Sequence, residues 1–370
     1  MDGQAAVVAV VGAGTMGAGI AQVALEAGDA VRLYDPVPDA RKRGRDRVAE
    51  GLARRAAKAA LDADSIDAWV SGRIARLDVL DDLEPTSIGA EIVIEAAVED
   101  LAVKRQLFGW LDDLASPAAI LATNTSALRV TDIATATRRP ARVLGLHFFN
   151  PAPVMPLVEV VAGAETDAFM VDRAIGHVER WGKTPVRSAD SPGFIVNRVN
   201  RPFTIEALRM LEAGEASVEE IDAALVAEGF PMGPFALIDL VGIDVNLAAA
   251  RAVWEGLGRP DRLRPSPIQA WLVDHGRLGR KSGDGFYLAS VPGSAPIAAS
   301  LPAELVPARS GHHLPAEAIV ARIRGAIARE AILARDAGVA SEADIDLALR
   351  LGAAHPEGPF EWAARATIAE

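Results

Sequence analysis

The chain has 370 residues, more than one average domain holds, so two or three domains are expected. Half of the residues are hydrophobic, enough for a large core, and the net charge of −12 at pH 7 argues against a nucleic-acid partner. The absence of cysteine excludes disulfides, thiolate metal ligands and a cysteine nucleophile. The N-terminus carries an acid where a signal peptide has basic residues, and no apolar run reaches the ~18–20 residues of a membrane span. We therefore expect a cytoplasmic protein with no membrane partner.

The first predicted elements form a strand, a glycine-rich loop, a helix and a second strand. Residues 5–11 are an apolar run typical of a buried parallel strand, GAGTMG follows, and residues 18–27 predict a helix. A second strand, residues 30–34, ends at Asp35, which lies 21 residues after Gly14. This order of elements is typical of a dinucleotide-binding unit, although an ordinary glycine-rich turn is the alternative.

Each feature of this unit has a physical role in binding a dinucleotide. Gly12 permits the tight turn, Gly14 lets the backbone approach the pyrophosphate, and Gly17 lets helix and strand pack closely. The helix N-terminus offers free N–H groups to the phosphates. Asp35 would bind the ribose hydroxyls and repel a 2′-phosphate, which favours NAD over NADP; the basic run at residues 41–43 weakens that preference slightly. The predicted cofactor contacts here are Gly12, Gly14, Thr15, Met16, Gly17 and Asp35.

Further strands are predicted at residues 92–98, 119–122 and 143–149, and helical segments such as 100–114 alternate with them. This alternation indicates an α/β fold with a Rossmann-like, doubly wound parallel sheet. Residues 39–80 form a long, charged, arginine-rich insert, which we predict to be a projecting helical arm.

A histidine and a glutamate in neighbouring apolar runs are the candidate chemical groups. His147 lies near the C-terminal end of a predicted strand, where doubly wound sheets place their ligands, and Glu159 lies in the next apolar run. Oxidation of an alcohol needs a hydride acceptor and a proton acceptor, and an imidazole is suited to the second task. A carboxylate can orient that imidazole and stabilise its charged form. The alternative is a core histidine and an unrelated carboxylate.

Five segments carry a resemblance to a known family: GAGTMGAGIA, EAAVED with Lys104 shortly after it, TNTSAL, GLHFFNPAPVMPLVEVV and SPGFIVNR. In order and spacing they resemble the L-3-hydroxyacyl-CoA dehydrogenase family, in particular short-chain enzymes acting on 3-hydroxybutyryl-CoA or 3-hydroxyadipyl-CoA. The resemblance covers residues 5 to about 287. It implies reversible, NAD-dependent oxidation of the 3-hydroxyl of an acyl-CoA, with His147 as base and Glu159 as its partner.

The resemblance also implies roles for residues that the pattern alone would leave unassigned. Ser126 and Asn197 match family residues that hydrogen-bond the 3-oxygen of the substrate. The further NAD contacts implied are Glu99, Lys104, Ser126, Asn150 and Lys281. On the arm, Arg54, Arg55 and Lys58 are the candidates for the CoA phosphates, and no metal is implied. Taken singly, these residues could equally be a helix cap, a helix-surface amide or solvated charges.

The C-terminal half is predicted to be helical and repeats itself. Helices are expected at residues 194–213 and 217–227, the latter with a Ser217–Glu220 capping box, and residues 229–245 predict a turn and a further helix. Residues 319–349 repeat residues 195–225 at an offset of 124, and Gly-Pro-Phe recurs one inserted residue later. The paired residues include Ile195/Ile319, Glu206/Glu330, Gly214/Gly338, Ser217/Ser341 and Asp222/Asp346. This resembles the duplicated C-terminal domain of larger enzymes of the same superfamily.

We therefore predict four parts: an NAD-binding domain at 1–190, an all-α C-terminal domain at 191–288, a linker at 289–315, and a second partial copy of the C-terminal domain at 316–370. Ala321 stands where Asn197 stands in the first copy, so the second copy is not a second active site. The copies are expected to form an intramolecular pseudo-dimer, with a homodimer as the alternative.

Two other functions remain open at this stage. The chain could be a hydroxy-acid or sugar-acid dehydrogenase of the same superfamily that does not need CoA. It could also be a non-catalytic, NAD-binding structural protein. The joint presence of His147, Glu159, Ser126 and Asn197 argues against the second alternative, because a structural role needs none of them.

Overall fold

The computed structural model describes residues 5–59, 62–288, 297–307 and 313–368, and the chain divides into two compact units, 1–190 and 191–370. Residues 289–296 and 308–312 of the predicted linker lie outside the described residues. Among the described residues, no helix is long and apolar enough to cross a membrane.

The first unit is built on an eight-stranded sheet with the order β3-β2-β1-β4-β5-β6-β7-β8. The strands are β1 Val7–Val11, β2 Ala30–Tyr34, β3 Leu77–Leu80, β4 Ile92–Glu95, β5 Ile120–Thr123, β6 Val143–Phe148, β7 Leu157–Ala162 and β8 Thr184–Ala189. The first six strands are parallel, whereas β7 runs antiparallel to β6, and β8 is parallel to β7. The Rossmann-like fold class is confirmed, and the structure adds an antiparallel pair, β6 and β7, that was not predicted. The strand order changes direction between β1 and β4, where doubly wound sheets bind their ligands.

Seven helices accompany this sheet in the described part of the unit: α1 Thr15–Glu26, α2 Pro38–Lys58, α3 Ala63–Ile74, α4 Leu83–Ser87, α5 Leu101–Leu114, α6 Val130–Ala134 and α7 Ala168–Arg180. Every residue of β4, β5 and β6 is buried, as expected for central strands covered on both faces. Helix α5 begins where the Asp100 side chain accepts the N–H of Val103. The strand predicted at 92–98 is shorter than expected because it ends at Glu95.

The predicted arm differs from expectation in two respects. Its last four residues are not helical, because Leu77–Leu80 pair with β2 as an edge strand. It also does not project freely: Val48 and Leu52 on α2 are fully buried in the core of this unit. Helix α2 lies so close to α1 that a Cβ added at Gly51 would stand 2.0 Å from Oε1 of Gln22. Helix α2 is therefore a fixed wall of the first unit.

In its described residues, the second unit is helical apart from one small strand pair. Its helices are α8 Val196–Val199, α9 Arg201–Glu212, α10 Val218–Ala227, α11 Pro234–Val241, α12 Ile243–Gly256, α13 Pro267–Asp274, α14 Ala316–Asp336, α15 Glu342–Gly352 and α16 Pro359–Ile368. Strands β9, Tyr287–Leu288, and β10, Ile297–Ala298, pair antiparallel. The capping box predicted at Ser217 and Glu220 is present at the start of α10.

The single helix predicted at 194–213 is interrupted. Phe194 has a positive φ of 48°, and the helix breaks at Asn200, two residues before Pro202, which has no backbone N–H to donate. The repeat provides a comparison, because α14 covers the equivalent residues without interruption and has Ala326 in the place of Pro202.

The sequence repeat folds in the same way twice. The Asp222 carboxylate accepts the N–H groups of Phe235 and Ala236 at the start of α11. Its repeat partner Asp346 does the same at the start of α16, where it binds Phe360 and Glu361. Each Gly-Pro-Phe turn is thus held by a buried aspartate of the preceding helix.

Two equivalent ion pairs join the copies inside the second unit. Nε of Arg198 lies 2.9 Å from Oε1 of Glu330, and Nε of Arg322 lies 2.9 Å from Oε2 of Glu206. Arg322 is the repeat partner of Arg198, and Glu330 that of Glu206, so the contact is reciprocal, as at a two-fold symmetric interface.

Candidate active site

The glycine-rich loop leaves open space where a pyrophosphate is expected. Gly12 has a φ of +109°, and a Cβ there would lie 2.5 Å from the carbonyl oxygen of Ala96. A Cβ at Gly17 would lie 1.8 Å from the Gly12 carbonyl oxygen, whereas one at Gly14 would meet nothing within 4 Å. Two glycines are therefore required by packing, and the third borders open space at the N-terminus of α1. Thr15 and Met16 are the first residues of that helix, whose early N–H groups have no intrahelical acceptor.

Asp35 closes the same loop from the end of β2. Its carboxylate accepts the N–H groups of Ala13 and Val37, each at 2.9 Å. The guanidinium of Arg41 donates to the backbone carbonyl of Asp35 at 2.7 Å. A carboxylate has about four lone-pair sites, so Asp35 keeps capacity to accept hydrogen bonds from a ribose.

His147 and Glu159 are direct cross-strand neighbours. The antiparallel register of β6 and β7 pairs the two residues, and Nδ1 of His147 lies 2.5 Å from Oε2 of Glu159. Glu159 is completely buried, and the imidazole is 7% exposed. Because a buried carboxylate accepts the bond, the Nδ1–H tautomer is the favoured neutral form, which leaves the basic lone pair on Nε2. The ring of Phe149 packs 4.5 Å from the imidazole, centroid to centroid.

Ser126 lies in a loop that is held by Glu99. Oε1 of Glu99 accepts the hydroxyl of Thr125 at 2.6 Å and the N–H of Ser126 at 2.9 Å. Burial raises the pKa of Glu99, but the charge of Lys104 and these hydrogen bonds outweigh it and lower the pKa below its usual value. Glu99 therefore holds the Ser126 loop as a carboxylate.

Lys104 is buried beneath this loop. Its ammonium lies 2.7 Å from Oε1 of Glu95 and 3.3 Å from Oε2 of Glu99. Glu95 is completely buried and also accepts the hydroxyl of Thr123. Sequence reasoning singled out Glu99 and Lys104 but missed Glu95, which falls at the last position of β4 and resembles any other strand residue in the sequence.

Two predicted site residues, Asn197 and Lys281, belong to the second unit. Asn197 is half-buried on α8. The Lys281 ammonium lies 2.5 and 2.7 Å from the two carboxylate oxygens of Asp244. Lys281 is therefore already part of an exposed ion pair, and its predicted NAD contact stays a prediction.

A basic cavity of about 430 Å³ lies between α1, α2 and the loop after β6. Arg54, Arg55 and Lys58 line it, as does Asn150. Arg47 lines it too and was missed, although the helical spacing to Arg54 and Lys58 was visible in the sequence. Among the described residues, the ion pairs of Arg54 and Arg55 are long, at 3.6 and 3.7 Å, so this side of the cavity carries an excess of positive charge.

A dinucleotide loop after β1, an acidic residue after β2 and a carboxylate-bound histidine near the carboxyl end of β6 lie along the same edge of the sheet. Together they define a nicotinamide-dependent dehydrogenase type of unit. Comparison with known families agrees. The model for the 3-hydroxyacyl-CoA dehydrogenase NAD-binding domain matches residues 7–191, and that for the family's C-terminal domain matches residues 193–289 and 319–369. The chain belongs to the 3-hydroxyacyl-CoA dehydrogenase family, NAD is its cofactor, and the duplication of its C-terminal domain is confirmed.

Individual relatives give the same family. The chain is 47% identical over 281 residues to the 3-hydroxyadipyl-CoA dehydrogenase of Escherichia coli K12, an alignment covering 76% of this chain and 58% of that protein. It is 43% identical over 279 residues to a probable 3-hydroxybutyryl-CoA dehydrogenase of Bacillus subtilis, covering 75% and 95%. A crystal structure of 3-hydroxybutyryl-CoA dehydrogenase from E. coli K12 superposes with a TM-score of 0.86 at 35% identity, covering 98% of this chain and 91% of that one.

Proposed function

We propose that this chain catalyses the reversible oxidation of an L-3-hydroxyacyl-CoA to the 3-oxoacyl-CoA. The observation that carries the proposal is the buried His147–Glu159 pair, which lies at the same edge of the sheet as the dinucleotide loop. Bound NAD supplies the hydride acceptor for C3 of the substrate. The names of the relatives leave two classes of acyl chain: a short monocarboxylic chain, as in 3-hydroxybutyryl-CoA, and a dicarboxylic one, as in 3-hydroxyadipyl-CoA.

In this proposal His147 moves the proton. Nε2 accepts the hydrogen of the 3-hydroxyl during oxidation and returns it to the oxygen during reduction. Glu159 holds the imidazole through Nδ1–H and stabilises the imidazolium that forms, since the carboxylate is only 2.5 Å away and shielded from water. Proton transfer and charge stabilisation are thus divided between two strands of one rigid sheet.

Ser126 and Asn197 are proposed as hydrogen-bond donors to the 3-oxygen. Such donors stabilise negative charge that develops on that oxygen. Ser126 can do so because Glu99 holds its loop, and we assign Lys104 and Glu95 a positioning role beneath Glu99. The remaining proposed NAD contacts are Gly12, Gly14, Thr15, Met16, Gly17, Asp35, Glu99, Asn150 and Lys281.

We further propose that the basic cavity on α2 binds the phosphates of CoA. Its four cationic side chains, Arg47, Arg54, Arg55 and Lys58, provide local positive charge on a chain whose net charge is −12. Guanidinium groups pair with phosphate oxygens in a bidentate manner, and Lys58 adds a point charge.

The two copies of the C-terminal domain are proposed to form a pseudo-dimer, which replaces contact with a second chain. The reciprocal Arg198–Glu330 and Glu206–Arg322 pairs support this. Phe230 also packs 4.9 Å from His355, its repeat partner, as expected where a two-fold axis passes. Light scattering should give a monomer; a stable dimer held through residues 195–287 would contradict the proposal.

The activity test follows NADH absorbance with acetoacetyl-CoA, with free acetoacetate and NADPH as controls. We expect oxidation of NADH with the thioester only. His147→Gln should lower kcat by about 10²–10⁴-fold, the usual contribution of a general acid or base, without loss of NADH binding. Glu159→Gln should also lower kcat. His275→Gln, which changes an exposed histidine of the second unit, is the matched control. Unchanged turnover in the His147 variant would refute the assignment.

A further inference from the structure

Arg201 is a buried cation for which the described residues offer no carboxylate. It is only 6% exposed, and its Nε is shielded from solvent and has no hydrogen-bond partner among the described residues. The other buried arginines of the described residues each have a carboxylate: Arg142 binds Asp112, Arg198 binds Glu330, and Arg324 binds Glu357. Burial lowers the pKa of Arg201 to about 10, so the group is still charged at neutral pH. A buried, charged, unpaired guanidinium indicates a missing anion.

The position of Arg201 connects it to the substrate. It follows Asn197 by four residues, and Asn200 between them keeps right-handed helical backbone angles, φ −80° and ψ −7°. In a continuous helix, side chains with this spacing share one face, with Cβ atoms about 5–6 Å apart. Here Asn197 is on α8 and Arg201 begins α9, directly after the interruption at Asn200, so the two residues are close along the chain but not on one continuous helix. Arg201 therefore lies about one turn along the chain from the residue that we assign to the 3-oxygen of the acyl chain.

The second copy of the domain shows that the fold does not need Arg201. The residues that join the two copies are repeated: Arg198 recurs as Arg322, and Glu206 as Glu330. Arg201 is replaced by Gly325, just as Asn197 is replaced by Ala321. Both residues are thus present only in the copy that follows the dinucleotide-binding unit.

We propose that Arg201 binds a carboxylate at the far end of the acyl chain, so that the preferred substrates are 3-hydroxyacyl-CoA thioesters of dicarboxylic acids. This inference rests on the proposed function. In a six-carbon chain the terminal carbon is three bonds from C3, about 4 Å when extended, a distance that a long arginine side chain about one helical turn from Asn197 can span. A monocarboxylic chain would place a methyl group against the buried charge instead.

The test compares two substrates of equal carbon number on the full chain. Initial rates of NAD reduction are measured with 3-hydroxyadipyl-CoA and with 3-hydroxyhexanoyl-CoA, which differ only in the terminal carboxylate. We expect the wild type to favour the adipyl thioester in kcat/KM by about 10–100-fold, the range for a hydrogen bond to a charged group. Arg201→Gln should bring this ratio towards one, mainly through KM for the adipyl thioester. Arg251→Gln, an exposed arginine on α12, should leave the ratio unchanged.

The outcomes separate the two proposals. If the wild type turns over the hexanoyl thioester as well as the adipyl thioester, the carboxylate assignment is wrong while the dehydrogenase function stands. An equal loss with both substrates in the Arg201 variant would also overturn it. If no acyl-CoA is oxidised, the proposed function itself fails. Thermal unfolding of Arg201→Met provides an activity-independent readout: removal of an unpaired buried charge should maintain or raise Tm, and a large decrease would indicate a structural role instead.

Discussion

The two ion pairs that join the copies are equivalent in sequence but differ in environment, and that difference predicts unequal effects of mutation. Removing Glu330 leaves Arg198, which is 6% exposed, without its carboxylate, and it also breaks the ion pair with Arg262, which is 35% exposed. Removing Glu206 leaves Arg322, which is 35% exposed and keeps a second carboxylate, Glu215, at 2.6 Å. The first change creates a buried unpaired charge, and the second leaves a cation that is both hydrated and paired.

The magnitudes follow from this difference. Loss of one partner of a buried ion pair costs about 3–5 kcal/mol, whereas an exposed pair contributes about 1 kcal/mol or less. In a unit of this size 1 kcal/mol corresponds to about 2–4 °C in Tm. Glu330→Ala should therefore lower the Tm of the second unit by about 6–20 °C, and Glu206→Ala by about 4 °C or less.

The assay is scanning calorimetry of both variants, with urea unfolding to obtain the free energy of unfolding independently. Both substitutions remove a buried glutamate side chain of the same size from equivalent helix positions, so the loss of packing is matched. The reasoning is that the exposure of the remaining arginine, and whether it keeps a second carboxylate, decide the loss of stability. Equal shifts in Tm, or a larger shift for the Glu206 variant, would refute it.

Two further predictions concern the CoA site and the effect of pH. Arg47→Gln should raise KM for acetoacetyl-CoA but leave KM unchanged for acetoacetyl-N-acetylcysteamine, which lacks the phosphates. Arg45→Gln, which changes an exposed residue of the same helix, is the control. An equal rise in KM with both substrates would contradict the assignment. Burial lowers the pKa of His355 from 6.5 to about 3 in the folded chain. Below pH 6.5 the unfolded chain therefore binds a proton that the folded chain does not. The free energy of unfolding should fall as pH decreases from 6.5 towards 3, by about 5 kcal/mol at most. His355→Phe should accordingly flatten the loss of unfolding free energy between pH 6.5 and 4 relative to the wild type, and parallel pH curves would refute this.

The sequence predicted best those features that local pattern determines. The glycine loop, β2 and the Ser217 capping box were found because strand length, glycine spacing and a serine three residues before a glutamate are local signals. The edge strand β3 was missed because four residues after a helix carry little periodicity, and their strand conformation depends on pairing with β2. The break at Asn200 could have been predicted from Pro202, which the apolar helical pattern concealed.

At the site, the sequence identified His147 and Glu159 but not the reason that they meet. That reason is the reversed direction of β7, which places the two residues opposite each other in register, and no local pattern specifies an antiparallel pair at the end of a parallel sheet. Glu95 and Arg47 were missed for a similar reason. The role of each depends on a neighbour from another element. Glu95 pairs with the ammonium of Lys104, and Arg47 lines the cavity between α1 and α2.

The internal repeat separates residues that serve the fold from residues that we propose to serve chemistry. Asp222 and Asp346 hold the same turn twice, and the ion pairs of the interface recur with their partners exchanged, so these residues are explained by folding and docking. Asn197 and Arg201 have no counterpart in the second copy, although the helix that replaces theirs is longer and uninterrupted. A buried charge is costly for the fold, and the second copy folds without one at this position. The simplest physical account is that the first copy keeps Arg201 because an anion binds there during function.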